Sequence, residues 1–486
     1  MKNRKWLYIV LVVVCGIGIW LCCLNFAKND YLNVLPGQSK ALAVINVERL
    51  IKEADLDETT LKQTGLLSER YADIGIDWSK DIYSFVTTKE YVGALAAVDD
   101  KDKLKAFFEK SHEKGYCGNI EKHQGYQWVV LHDSWLIGFD DEAFLLMGPA
   151  VGSDLNMLRQ DMLRFFYQDE DESGRKSLLY EGVKERRTSV SLASTLDVLP
   201  TTYSVKFKSG LPEHATLSDI RVVADFEFTP TMVTMNCEVG SDNKEIDRYY
   251  EGLAVINDDI EGTFISEVDS TTLLWASTHI EGKGLLDLLR KNPDVRTFLL
   301  GLNFGLDADQ IIRSMKGDVA FRLDSITQSD KPVYTMLAEL SDQSFLDGSD
   351  YWTQSVPVYG GISLKKLDKT DFRMDLQGKT FFFGVNNDCF YMTSSEASVG
   401  SMFKKSSSVL KPWEKEICSS RYFVWLNMRA FKTAMEKWSG LHAGYADWTD
   451  KLDVFDSFVV HSKDARHIAF VLKTKDNKNL FKELLK

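Results

Sequence analysis

The sequence predicts an α+β protein: an N-terminal transmembrane helix followed by two tandem repeated domains of antiparallel strands with interspersed helices. Three observations lead there. Trp6 to Leu24 carries no charged side chain behind the basic cluster Lys2, Arg4 and Lys5. Apolar strand patterns separated by Asx-rich turns recur with amphipathic helices between them rather than in βαβ order. The order of these elements is the same in both halves of the chain. The expected organisation is a basic tip and signal anchor over residues 1–30, a first unit over 31–256 and a second over 262–486.

The apolar run comes first. Its nineteen residues would span about 28 Å as a helix, close to the roughly 30 Å hydrocarbon core. The preceding basic cluster should stay cytoplasmic, and Trp6, Tyr8 and Trp20 suit the two interfaces. The run is longer than a cleavable signal core and lacks a small-x-small site, which favours an uncleaved anchor over a processed leader. Lipoprotein processing at Cys15, Cys22 or Cys23 is the alternative, although no small residue stands just before Cys15 or Cys22. Inner-membrane, single-pass attachment with the chain after about residue 28 in the periplasm is the expected location.

The body then opens with a strand, Ala41–Val47, running into a helix over Glu48–Asp55. Thr272–Thr278 and Gly284–Leu289 answer them, and Gly75-Ile76-Asp77 is answered by Gly305-Leu306-Asp307. Strands over Ile82–Val86 and Tyr91–Val98 match Asp318–Leu323 and Val333–Leu340. The strongest match is a hairpin, Trp135 to Met147 against Phe381 to Met392, in which Gly138 answers Gly384. Val190–Leu192 answers Val424–Leu426. The pair Ile220–Phe228 and Met232–Val239 answers Phe458–His461 and His467–Leu472. Helices over Asn243–Ala254 and Asn477–Lys486 close the two units. Between these landmarks, Lys101–Lys114 and Asp154–Gln168 have helical apolar spacing.

Charge bounds the partners. The chain carries a net −13, and the first thirty residues contribute +3, leaving −16 on the body. Such a body repels phosphate backbones, so nucleic acid is not an expected partner. Cys117, Cys237, Cys389 and Cys418 are widely spaced, form no CxxC pair and are expected to be free buried thiols.

No catalytic, cofactor or metal site is predicted. Asp140, Asp141 and Glu142 could bind a cation, yet Asn386, Asn387 and Asp388 occupy the same turn in the second half, where Asx residues serve the backbone. His112, Cys117, His123 and His132 match no zinc module. Ser111–Lys114, Lys208–Gly210 and Ser241–Asn243 contain the S-x-x-K, K-S-G and S-D-N patterns of serine penicillin-binding proteins, but in the wrong order. The tryptophans, among them Trp128, Trp135, Trp275, Trp352, Trp425 and Trp438, mostly fall in apolar strand patterns and read as core.

Tyr31-Leu32-Asn33-Val34-Leu35-Pro36 followed by Ala41 to Leu50 resembles the opening strand–helix of a known group. These are uncharacterised, membrane-anchored or lipoprotein-like envelope proteins of Gram-negative bacteria, classed as domains of unknown function. The resemblance implies an envelope location and a repeated α+β body, and carries no catalytic residues with it. The expected function is therefore a non-enzymatic, membrane-anchored envelope protein acting through contacts with a protein partner. The alternatives are a carrier of an apolar or glycan ligand in a cleft between the two units, and an envelope hydrolase with an unrecognised site.

Overall fold

The computed structural model describes residues 30–483, apart from 57–73, 203–210, 326–331, 356–361, 404–407, 440–451 and positions 124, 151, 200–201, 213, 255–256, 304, 377, 400–401 and 481–482. The expected transmembrane helix lies outside the described residues, and none of the described helices is long and apolar enough to cross a membrane. The expected fold is corrected to a large antiparallel sheet structure with helices, with 21 strands among the described residues.

Two compact units divide the described chain. One holds the residues up to Ser194 except Glu53–Leu56, and the other holds Glu53–Leu56 and everything from Thr195 onward. The first contains β1 (Ser39–Ile45), β2 (Ile82–Thr87), β3 (Val92–Ala97), β4 (Glu121–His123), β5 (Tyr126–Leu131), β6 (Trp135–Phe139), β7 (Ala143–Gly148) and β8 (Val190–Thr195). Their ladders run β8-β1-β2-β3-β7-β6-β5-β4. The helix Lys101–Glu113 starts where Asp100 Oδ1 accepts from the backbone of Asp102 and Lys103. It buries Leu104 and Phe108 against Val129, Ile137 and Phe139.

The second unit contains β9 (Ile220–Thr229), β10 (Met232–Ser241), β11 (Asn257–Asp258), β12 (Leu274–Glu281), β13 (Met315–Ser325), β14 (Val333–Leu340), β15 (Ile362–Lys366), β16 (Phe372–Leu376), β17 (Lys379–Asn386), β18 (Cys389–Thr393), β19 (Tyr422–Asn427), β20 (Phe455–Ser462) and β21 (His467–Thr474). Here the ladders run β9-β10-β21-β20-β19-β12-β13-β14-β18-β17-β16-β15. The paired Trp275 and Trp425, with Phe423, Val459 and Val471, face one core. The opposite face is uncharged along two cross-strand rows. One is Phe228, Val233, Leu472, Phe458, Leu426, Leu274, Leu323 and Tyr334, and the other runs from Phe226 through Met235, Phe470, Val460, Val424, Ala276 and Phe321 to Met336. These side chains are half-buried, except Phe321, which is 39% exposed.

The ladder order recurs strand for strand, with β1–β7 pairing among themselves as β12–β18 do, and with β8 beside β1 as β19 is beside β12. Following the registers outward places Leu42 at Trp275, Leu95 at Leu337 and Gly138 at Gly384. The hairpin match from sequence keeps its alignment, whereas Ala41 falls at Leu274, two residues from the sequence alignment. Ile76, which bridges Val98, falls at Met315, which pairs with Leu340, and not at Leu306.

The recurrence does not produce two self-contained domains. Strand β10 pairs with β21 from Met232–Lys473 to Glu238–His467. Asp242-Asn243-Lys244 recurs as Asp476-Asn477-Lys478, which makes β10 and β21 equivalent strands. The hairpin β9–β10 of the first copy therefore extends the ladder of the second. The last expected helix, over 477–486, lies largely outside the described residues.

Sequence reasoning missed β4, β5, β11, β15, β16 and the helices Leu178–Val183, Pro293–Asn303, Ala308–Ser314, Ser349–Ser355 and Met428–Ser439. The two matched glycines are required by close approach. A Cβ on Gly138 would stand 2.6 Å from Met162 Sδ, and one on Gly384 2.4 Å from Asp371 Oδ1 and 2.6 Å from the Thr370 carbonyl oxygen. Gly301 has open space around it on a helix. Gly384→Ala should therefore destabilise by about 1–3 kcal/mol, and Gly301→Ala should stabilise by about 0.5–1 kcal/mol, both read from denaturant midpoints.

Candidate functional site

Strand β13 carries a bulge. Met315 pairs with Leu340, but the next pair is Val319 with Ala338, so Lys316, Gly317 and Asp318 oppose a single residue, Glu339. Gly317 has φ +119°, and the Glu339 carboxylate occupies the space that a Cβ would need, with Oε2 only 2.4 Å from that position. The approach lets the Asp318 N–H donate to Glu339 Oε2 at 2.6 Å. A cleft of about 360 Å³ lies over the bulge, lined by Glu261, His279, Lys316, Glu339, Ser341, Asn387, Asp388 and Cys389 among others.

The fully buried Asp318 ends the bulge. Its carboxylate accepts from three successive backbone N–H groups, Glu261 at 2.9 Å, Gly262 at 2.7 Å and Thr263 at 3.0 Å. His279 Nδ1 lies 3.3 Å from Asp318 Oδ1 but makes no hydrogen bond. Thr263 Oγ1 donates to Glu339 Oε1 at 3.1 Å, so both carboxylates fasten the turn that leads toward β12. The same fastener exists in the first unit. Registers place Asn46 at His279 and Asp81 at Asp318, and Asn46 Nδ2 donates to Asp81 Oδ1 at 2.9 Å. The Asp81 carbonyl accepts from Tyr31 Oη, again holding the segment before the first strand. The alignment of Asp81-Ile82 with Asp318-Val319 was the available sequence signal, and sequence reasoning did not use it.

The cleft thiol is held in its neutral form. Burial, with the negative charges of Glu339, Asp388 and Glu267, pushes the pKa of Cys389 up to about 11. Burial and Asp225 push Cys237 up to about 11, and burial raises Cys117. All four body cysteines are free, but only Cys117 and Cys389 are buried; Cys237 is half-buried and Cys418 exposed, contrary to the expectation of burial.

A second constellation looks catalytic in composition. His461 Nδ1 is 3.3 Å from Ser420 Oγ, and Glu416 lies nearby. Ser420 is fully buried, however, and its hydroxyl donates to the Glu416 carbonyl at 2.6 Å, so it presents no nucleophile. Burial lowers the pKa of His461.

The residues weighed from sequence have local roles. Asp140 Oδ1 accepts from the Glu142 and Ala143 backbone at 2.8 and 2.7 Å, closing the turn. Asn387 and Asp388 adopt the left-handed φ of 50° and 59° that the equivalent turn needs. His112 Nδ1 is bonded to the Cys117 carbonyl, His123 stacks on Trp128 at 5.4 Å, and His132 sits at a hairpin turn with φ 47°. Among the described residues no three His, Cys, Asp or Glu side chains are gathered to hold a metal. Ser111 Oγ donates to the Phe107 carbonyl and Ser241 Oγ to the Asp219 carbonyl, while Lys208–Gly210 lies outside the described residues. Trp128 also carries the Arg159 guanidinium over its ring at 5.4 Å, so the aromatic group of the first unit is already partnered.

His461 gives a pH prediction. Its folded pKa lies below its unfolded value near 6.5, so the unfolded chain binds the extra proton. The stability it contributes is complete above pH 6.5 and is lost as pH falls through the folded pKa. His461→Gln should therefore narrow the fall in thermal midpoint between pH 7.5 and 5 relative to the parent protein.

A family model described as a domain of unknown function, DUF4836, matches residues 56–433. No curated protein matches the chain. Among solved structures, crystal form IV of TP0453 is 11% identical with a TM-score of 0.28, covering 44% of this chain and 81% of that one. Crystal form III is 10% identical with a TM-score of 0.27, covering 48% and 89%. The match over most of the chain places it in the family: the protein is a member of DUF4836, a domain of unknown function.

Proposed function

We propose that this protein is a non-enzymatic component of the Gram-negative cell envelope, attached to the membrane through its apolar N-terminus and acting through contacts with a partner protein. The observation that carries the reading is the recurring Asp81 and Asp318 fastener. In the second copy the buried Asp318 commits its carboxylate to the entering segment, and in the first the half-buried Asp81 holds that segment by its carbonyl and gives its carboxylate to Asn46. A carboxylate whose lone pairs are taken by three backbone N–H groups is poorly placed to orient a catalytic base. The protonated Cys389 and the buried Ser420 offer no nucleophile beside it. The uncharged run from Trp6 to Leu24 behind Lys2, Arg4 and Lys5 supports attachment, with lipidation as the other route.

A carrier of an apolar or glycan ligand is the second reading, favoured by the uncharged, half-buried rows from Phe228 to Tyr334 and from Phe226 to Met336. Native mass spectrometry of the full-length protein, extracted in mild detergent from its own cells, separates the two. A second polypeptide travelling with the chain is the expected result. Retained mass of lipid or oligosaccharide size, without a partner chain, would replace the contact reading with the carrier. Cell fractionation should find the full chain with membranes and residues 31–486 in the soluble fraction.

A further inference from the structure

The cleft over the β13 bulge contains charge of both signs that the fold leaves uncommitted. Among the described residues, the exposed Lys316 has no ion-pair partner, and the exposed Glu261 side chain has neither an ion pair nor a hydrogen bond. Asp388 accepts one hydrogen bond, from Gln343 Nε2 at 2.6 Å, and retains an oxygen. Nδ1 of His279 is buried without a hydrogen bond at the same site. Glu339 and Asp318, by contrast, are engaged with backbone and Thr263.

This arrangement selects against simple ions. An anion drawn to Lys316 would face Glu261 and Asp388, and a cation drawn to those carboxylates would face Lys316. A ligand with both charges satisfies Lys316 and the two carboxylates at once. The volume of about 360 Å³ lies at the lower end of small-molecule pockets, the scale of an amino acid or a very short peptide. The geometry points to a binding site for a small zwitterion, an α-amino acid or a peptide of two or three residues, with its carboxylate on Lys316 and its ammonium group on Glu261 and Asp388. The bulge builds the site by turning Lys316 out beside the cleft while Asp318 holds Glu261 in place through its backbone N–H. No bond is made or broken, and the inference goes beyond the partner-protein reading without depending on it.

The test is isothermal titration of the full-length protein in detergent with glycine, dialanine and trialanine at low salt. N-acetyl-dialanine and dialanine amide serve as probes that each lack one charge. Saturable binding of at least one zwitterion is expected, with glycine against the peptides deciding the length. Each blocked probe, and each of Lys316→Met and Glu261→Gln, should weaken binding about tenfold, as loss of a charge-assisted contact does. Lys316→Met should cost the amide probe nothing further, because the carboxylate it would meet is already gone. Both replaced side chains are exposed, and unchanged thermal midpoints will show that the variants fold. Absence of saturable binding for all three zwitterions, or binding indifferent to Lys316→Met, would overturn the assignment.

Discussion

The rest of the second unit depends on the antiparallel ladder between β10 and β21. These are matching strands of two copies, joined antiparallel from Met232–Lys473 to Glu238–His467. Flanking bonds extend the ladder, with the Val239 N–H on the Arg466 carbonyl at one end and the Thr474 N–H on the Thr231 carbonyl at the other. Arg466 adds an ion pair to Asp247 at 2.8 Å. A sheet edge that would otherwise recruit a neighbouring chain is thereby closed within the molecule.

The sheet built on that ladder has two chemical faces. Around β12 and β19 one face holds Trp275, Trp425 and Phe423 in a core, and the other carries the uncharged rows. Toward β9 and β10 the uncharged rows continue, while the reverse face becomes polar with Asp225, Glu227, Asn236 and Glu238. Alternation keeps the two faces distinct, since each strand presents successive residues to opposite faces. The helix Lys244–Ala254 covers part of the uncharged side, where Ile246 packs with Ile220 and Val239.

Sequence made part of the ladder legible where an apolar strand met an Asx turn, although β5 before His132-Asp133 was not read. The hairpin at Gly138 and Gly384 and the strand Val333–Leu340 stand where the pattern put them. Three-residue β4 and Lys-rich β15 were not legible, because short polar edge strands carry no period. The order of copies was readable, but not their interdependence, since nothing in the composition of Met232–Ser241 says that its partner lies more than two hundred residues away. The site was less legible still. Asp318 looks like the polar start of a strand, and a bulge is visible only when two strands are set in register.

The copies explain why the cleft belongs to the second of them. Both must cross from the bridge at Ile76–Val98, or its counterpart Met315–Leu340, into the strand that begins at Ile82 or Val319. The first copy uses five residues, Asp77 to Asp81, and the second uses three, Lys316 to Asp318. The shorter crossing has no room for an ordinary turn, and Gly317 at φ +119° absorbs the difference. A glycine there leaves a vacant Cβ position, and what fills it is set by the neighbouring strand. The first copy has the buried Ala97 at the place of Glu339, so no carboxylate could approach even if its crossing were shortened. An Asp ties down the segment before the first strand in both copies. The approach of a carboxylate to a strand glycine is particular to the second, because it needs the three-residue crossing and Glu339 together.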